Sequence, residues 1–155
     1  MKLTSTAFEN GEKIPSKYTC DGENISPPLE IKDIPERTMT LVLLMDDPDI
    51  PDFVKQKFNI EKWDHWTVFN IPVDTTTISE AQNPPGILGV NTGKKNSYGG
   101  PCPPDKEHRY FFKLFALDTE LNLAEGATQA QVMQAIEGHI IAQTQLMGKY
   151  ERQKN

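Results

Sequence analysis

Three histidines and one tight group of acids hold most of the chemistry available to this chain of 155 residues. The acids are Asp46, Asp47 and Asp49 in "LLMDDPDIPDF", Leu43 to Phe53, where an apolar run stops among carboxylates with Pro48 and Pro51 set between them. His65 stands in "WDHWTVFNIP" between two tryptophans, His108 in "PPDKEHRYFF" after a proline-rich loop, and His139 farther on in "EGHII". Carboxylates beside imidazoles can exchange protons, bind a metal, or orient one another around a polar ligand. Each group also has a plainer reading. Asp-Pro-Asp makes a good turn whose side chains bond the backbone, His65 can simply pack, and His-Arg-Tyr can be a solvated rim. The spacing matches no compact metal motif such as a helical HExxH. No recognisable motif sets a serine or cysteine nucleophile beside a histidine, so a metal site and a hydrolase using His108 as general base stay open as alternatives to a binding pocket.

The elements that must position these groups are short strands. All 12 prolines lie at or before Pro104, in "SPPL", "DPDIP", "NPPG" and "GGPCPP"; proline lacks the ladder N–H and punctuates strands. Between the punctuation, Thr40–Met45, Thr67–Ile71 and Arg109–Leu117 are rich in apolar, aromatic and β-branched residues and read as buried strands. After Leu117 the period changes. Val132, Ile136, Ile140 and Met147 fall on or near one helical stripe, and Thr128 with Gln131 resembles a capping box behind Gly126. Gly138 is expected to split this region into two helices, with His139 inside it and Gly148 stopping the second. The fold class is therefore mainly β (α+β): one antiparallel β domain over 1–155 with C-terminal helices. Rigid strand ends that carry adaptable loops are where sites are built, so Asp47, Asp49, His65 and His108 are expected to converge at one end of a sheet.

Composition narrows the function classes. With 37% hydrophobic and 25% charged residues the chain is an ordinary globular protein, and no apolar run approaches the roughly 20 residues of a bilayer span, so stable membrane insertion is not expected. A net charge of −6 without a Lys/Arg cluster argues against nucleic acid and acidic membranes. The N-terminus lacks the apolar core of a signal peptide, making cytoplasm the expected location. There Cys20 and Cys102 are expected to be free thiols, with a bridge open only if the fold brings them together.

Six segments in order, "YTCDGENISPPL", "DDPDIP", "HWTVFNIP", "SYGGPCPP", "HRYFFKLFALD" and "GATQAQVMQAIEGHIIAQTQLMGKYER", resemble the phosphatidylethanolamine-binding protein family, in particular its bacterial branch related to Raf kinase inhibitor protein. The resemblance implies an antiparallel β-sandwich, a large central sheet against a smaller one, with a small surface cavity for anions. By that resemblance Asp47, Asp49, Pro51, His65, Pro103, Pro104, His108 and Tyr110 line the cavity and Cys102 lies near its rim. The implied ligand is a small anion or phosphorylated head group, with no cofactor. The implied partner is a protein kinase or another signalling protein, and a homodimer stays open. Two carboxylates repel a phosphate, so protonated His65 and His108 and the N–H groups of the Gly-Pro loop are expected to supply donors. One Asp would orient a histidine and the other accept from the ligand. Two features depart from the family: Lys106 stands where bacterial relatives usually carry Gly, and 52–64 is a longer, more charged connection expected to form a helical turn or lid beside the pocket.

Overall fold

The structure is a computed structural model and describes residues 1–153. The run "TLVLLMDD" forms β3 (Thr40–Asp47), buried along its whole length because both of its faces are covered. Alternation divides its side chains: Leu41, Leu43 and Met45 enter one core, Val42 and Leu44 the other. It is the central strand of a five-stranded antiparallel sheet in the order β6-β4-β3-β7-β8. Its partners are β4 (Trp63–Ile71) and β7 (His108–Leu117), with β6 (Ile87–Leu88) and β8 (Ile140–Tyr150) outside them. A three-stranded antiparallel sheet, β1 (Lys2–Thr4), β2 (Leu29–Lys32) and β5 (Thr77–Ile78), covers one face. Between the sheets lie Leu3, Leu29, Ile31 and Ile78 from the small one and Trp66, Val68, Phe112 and Leu114 from the large one.

The other face of the large sheet is covered by one helix, α2 (Gln129–Ile136), which seats Val132 and Ile136 against Phe69, Phe115 and Leu117. Its capping box is present: Gln131 N donates to Thr128 Oγ1 and Thr128 N to Gln131 Oε1. The expected second C-terminal helix is not. Residues 140–150 form β8, antiparallel to β7 from Leu117↔Ile140 to His108↔Tyr150. His139 lies in the turn before it and pairs through Nδ1 with Asp118 at 2.8 Å. Local residue preference favoured helix here, but β7 would otherwise leave its ladder open, and a strand puts Leu146, Gly148 and Tyr150 inward. Gly148 is no helix stop: a Cβ there would collide with Ile14 Cγ1.

The connection 52–64 begins with the expected helical turn, α1 (Asp52–Phe58), closed by Asn59 in the left-handed region at φ 54°. No helix among the described residues is long and apolar enough to cross a membrane.

Candidate functional site

Where β3, β4 and β7 end together, the strand period decides which acid faces inward. Asp46 points to the outer face, where Lys113 holds its carboxylate at 3.0 Å and Lys62 lies at 3.5 Å. Asp47 points inward, in register with Leu43 and Met45. On β7 the same alternation sends His108 and Tyr110 inward and Arg109 out. On β4 the ladder pairs Met45 with Trp66 and Asp46 with Asp64, so His65 is an extra, unpaired residue. Such a bulge re-aims a side chain, and here the bulged residue is the histidine.

These ends enclose a cavity of about 400 Å³. Asp47, His65, Pro103, Pro104, His108 and Tyr110 line it. Asp49 and Pro51 do not. Pro51 precedes α1 as its N-cap. Asp49 is turned to Arg109, accepting from Nε at 2.9 Å, from Nη2 at 2.8 Å and from the backbone N at 2.9 Å. The Arg109 hydrogen bonds hold the Asp49 carboxyl below its ordinary pKa, against the opposing effect of burial. Three of its acceptor positions are therefore taken by Arg109.

Sequence reasoning missed the apolar wall. Ile50 follows the Asp-Pro-Asp turn, Val54 and Phe58 come from α1, and Trp63 from the start of β4. The i, i+4 spacing of Val54 and Phe58 was the available signal. Also missed was Asp105, whose carboxylate bonds His108 three residues on; Asp105 is not among the cavity-lining residues and reaches His108 from the loop beyond Pro104.

The two pocket histidines differ in charge state. His108 is fully buried, with Nδ1 at 2.6 Å from Asp47 Oδ2 and Nε2 at 2.6 Å from Asp105 Oδ1. Burial opposes its charge, but the hydrogen bonds and charges of Asp47 and then Asp105 outweigh it and raise its pKa. Two carboxylate partners demand two N–H donors, which is the imidazolium. His65 Nδ1 lies 2.6 Å from the Gly99 carbonyl oxygen. A carbonyl only accepts, so Nδ1 carries the proton and Nε2 is a lone pair. Burial pushes the His65 pKa down in spite of Gly99 and the charges of Asp47, Asp64 and Asp46. The expectation of two protonated histidines thus holds for His108 and fails for His65, because its hydrogen-bond partner is a neutral carbonyl and desolvation wins.

Two loop donors are also committed. Gly99 N donates to the His65 carbonyl and Gly100 N to Asn24 Oδ1. Asp47 Oδ1 accepts from Asp49 N at 2.7 Å. Burial and then the Asp47 charge push the Tyr110 pKa well up, so it stays a phenol. Cys20 and Cys102, expected as thiols, form a disulfide at the rim with Cα atoms 5.4 Å apart. The fold brings them together because loop 18–24 and loop 97–107 are tied side by side, by Cys20 N to Pro101 O and Tyr98 Oη to Tyr18 O. Among the described residues no three His, Cys, Asp or Glu side chains are grouped to hold a metal ion.

The family model for phosphatidylethanolamine-binding protein matches residues 4–151. The chain belongs to this family. A UPF0098 protein of Chlamydia pneumoniae is 46% identical over 152 residues, covering 98% of this chain and 99% of that protein. One from Methanothermobacter thermautotrophicus is 45% identical, with 98% and 99% covered. Among solved structures, a putative phosphatidylethanolamine-binding protein homologue of Chlamydia trachomatis, CT736, superposes with a TM-score of 0.92 at 43% identity, over 97% of each chain. Escherichia coli YbcL, described as a new member of the mammalian PEBP family, gives 0.86 at 30% identity, over 98% of each chain. The two-sheet architecture is thus the family's own.

Proposed function

We propose that this family member binds a small phosphorylated ligand with an apolar part, and that its role is regulatory and not hydrolytic. One observation carries the reading. Two imidazoles meet at a mainly apolar cavity; one is held charged by Asp47, while the other turns a nitrogen without a protein partner towards the space. The volume is in the range of small-molecule sites, about 300–1,000 Å³. Val54, Phe58 and Trp63 suit a carbon skeleton, and the adjacent prolines hold the loops in shape before binding. The family's name, taken from a phosphodiester lipid, supports the ligand class.

Hydrolysis fits these residues less well. The lining contains neither serine nor threonine, its two cysteines are bridged, and both nitrogens of His108 are committed to carboxylates. A base would have to be His65. Modulation of a protein kinase or another signalling protein is the family-level extension of the reading, with the filled cavity as the state a partner would sense. A cytoplasmic location is also part of it. There the bridge meets reducing thiols, and alkylation trapping of Cys20 and Cys102 in cell extract would show whether it survives.

Titration calorimetry with O-phosphoethanolamine and phenyl phosphate is the test. The wild type should bind both, phenyl phosphate more tightly, and His108→Ala and Asp47→Asn should each lose tenfold or more. Unchanged affinity in both variants would overturn the proposal.

A further inference from the structure

We propose that the pocket takes up one proton together with its anion, and that Nε2 of His65 is where the proton is held. The inference rests on the phosphorylated-ligand reading and adds the protonation state that the site selects.

The argument is an inventory of donors. Among the described residues every fully buried side-chain nitrogen or oxygen has a hydrogen-bond partner. His65 Nε2 has none, although the residue is buried, so this atom opens onto the cavity. With Nδ1 donating to Gly99, it presents a lone pair. Of the other polar groups nearby, the Gly99 and Gly100 N–H groups are spent, Asp47 is met by Asp49 N and His108, Pro103 and Pro104 have no N–H, and Tyr110 stays a phenol that can donate. An anion bringing only acceptors therefore meets a lone pair at His65 Nε2, whatever Tyr110 donates to it. One proton reverses this. Either a monoprotonated phosphate donates its P–O–H to Nε2, or Nε2 is protonated and donates to the dianion; the proton count is the same.

The surroundings prepare His65 for this change. The edge of Tyr110 from β7 faces it, with ring centroids 5.3 Å apart, and the charges of Asp47 and Asp46 on β3 and of Asp64 on its own strand act on it, the last two from the outer face where they pair with Lys62. Beyond Tyr110 stands the His108 cation, and Tyr98 lies behind on the loop. The three acids favour an imidazolium at position 65 and burial opposes it. An arriving anion supplies the compensating charge, so binding and protonation favour each other.

The proton balance is explicit. A phosphomonoester has a second pKa of about 6. Below it the ligand arrives with its own proton; above it the complex must draw one from the buffer. Affinity should then fall roughly tenfold per pH unit above about 7, the slope for one linked proton. A sulfate ester carries no proton in this range, so any uptake on its binding belongs to the protein.

The experiment is calorimetry at pH 7.5 with phenyl phosphate and phenyl sulfate, in buffers of different ionisation enthalpy. The expected result is uptake of close to one proton for both anions on the wild type, and for phenyl sulfate none on His65→Gln, which can hydrogen-bond but cannot carry the charge. Imidazole nitrogen shifts give an independent reading if that variant folds poorly: His65 should move from neutral to imidazolium values as phenyl sulfate is added. Binding without proton uptake overturns the inference and leaves the phosphorylated-ligand reading standing. Uptake that persists in His65→Gln moves the proton to His108 and also overturns it. No binding of either anion removes both.

Discussion

The β4 wall and the β7 wall of the cavity each present one buried histidine, and the two are in opposite states. His65 is 6% exposed and His108 fully buried, so burial does not separate them. Their partners do. A bulge swings His65 onto the Gly99 carbonyl, which asks for one N–H and leaves the ring neutral. Regular alternation points His108 at Asp47, and the chain folds back so that Asp105 takes the other nitrogen. Desolvation wins where the partner is a dipole and loses where the partners are charges. One wall can therefore receive a proton while the other already holds one.

The largest expected loss comes from untying the loops that rim both walls. Cys20 and Cys102 are 82 residues apart, and the chain-entropy argument puts such a bridge at about 4 kcal/mol. The double variant Cys20→Ala/Cys102→Ala should lose that much in urea unfolding under non-reducing conditions. Next is His108→Ala, which leaves the Asp47 carboxylate buried without its cation; removing one partner of a buried pair costs about 3 kcal/mol or more. His65→Ala strands only a carbonyl and should cost roughly half as much, about 1–2 kcal/mol. Equal losses at the two histidines would break the contrast between the walls.

Stability against pH sharpens the same contrast, because the two walls should tilt it in opposite directions. The folded pKa of His108 is raised, so its contribution is complete below the unfolded value near 6.5 and is lost as pH rises through the folded value. The folded pKa of His65 is lowered. The unfolded chain then binds more protons, and stability is lost as pH falls below about 6.5. Urea unfolding of His65→Gln from pH 5 to 9 should show less acid-side loss than the wild type, and His108→Gln less alkaline-side loss. Parallel profiles for the two variants would contradict the assignment of charge.

The sheet was legible because β3, β4 and β7 are apolar enough to be strands wherever they pack, and proline marks their ends. The region 140–150 was not, since Ala, Gln, Leu and Met serve a helix equally well and the deciding partner, β7, is distant in sequence. The same divide runs through the site. Asp47, His65 and His108 announce themselves by type and by place at strand ends. Their charges do not: His65 follows Asp64 in the chain but bonds Gly99, while His108 reaches an acid 61 positions away. Asp49 looked like a twin of Asp47, and the turn gave it to Arg109. The cysteine pairing was hidden for a like reason, because nothing local says that two loops will share a rim.

The smallest effect tests how the β7 wall divides its charge between its two carboxylates. The Asp47 side chain is 4% exposed and that of Asp105 33%. Water screens the outer partner, so Asp105→Asn should cost only about 0.5 kcal/mol, in the range of exposed ion pairs. Asparagine can still accept from Nε2, which keeps the ring in place while removing one of the two charges that hold its proton. The His108 pKa should therefore fall part of the way towards its ordinary value, and the alkaline loss of stability should begin at lower pH. Imidazole titration by NMR, with urea midpoints on the same samples, reads both quantities. A destabilisation as large as that of His108→Ala would mean that the exposed carboxylate carries the pair as much as the buried one, and that the charge on this wall is set at the surface and not by Asp47.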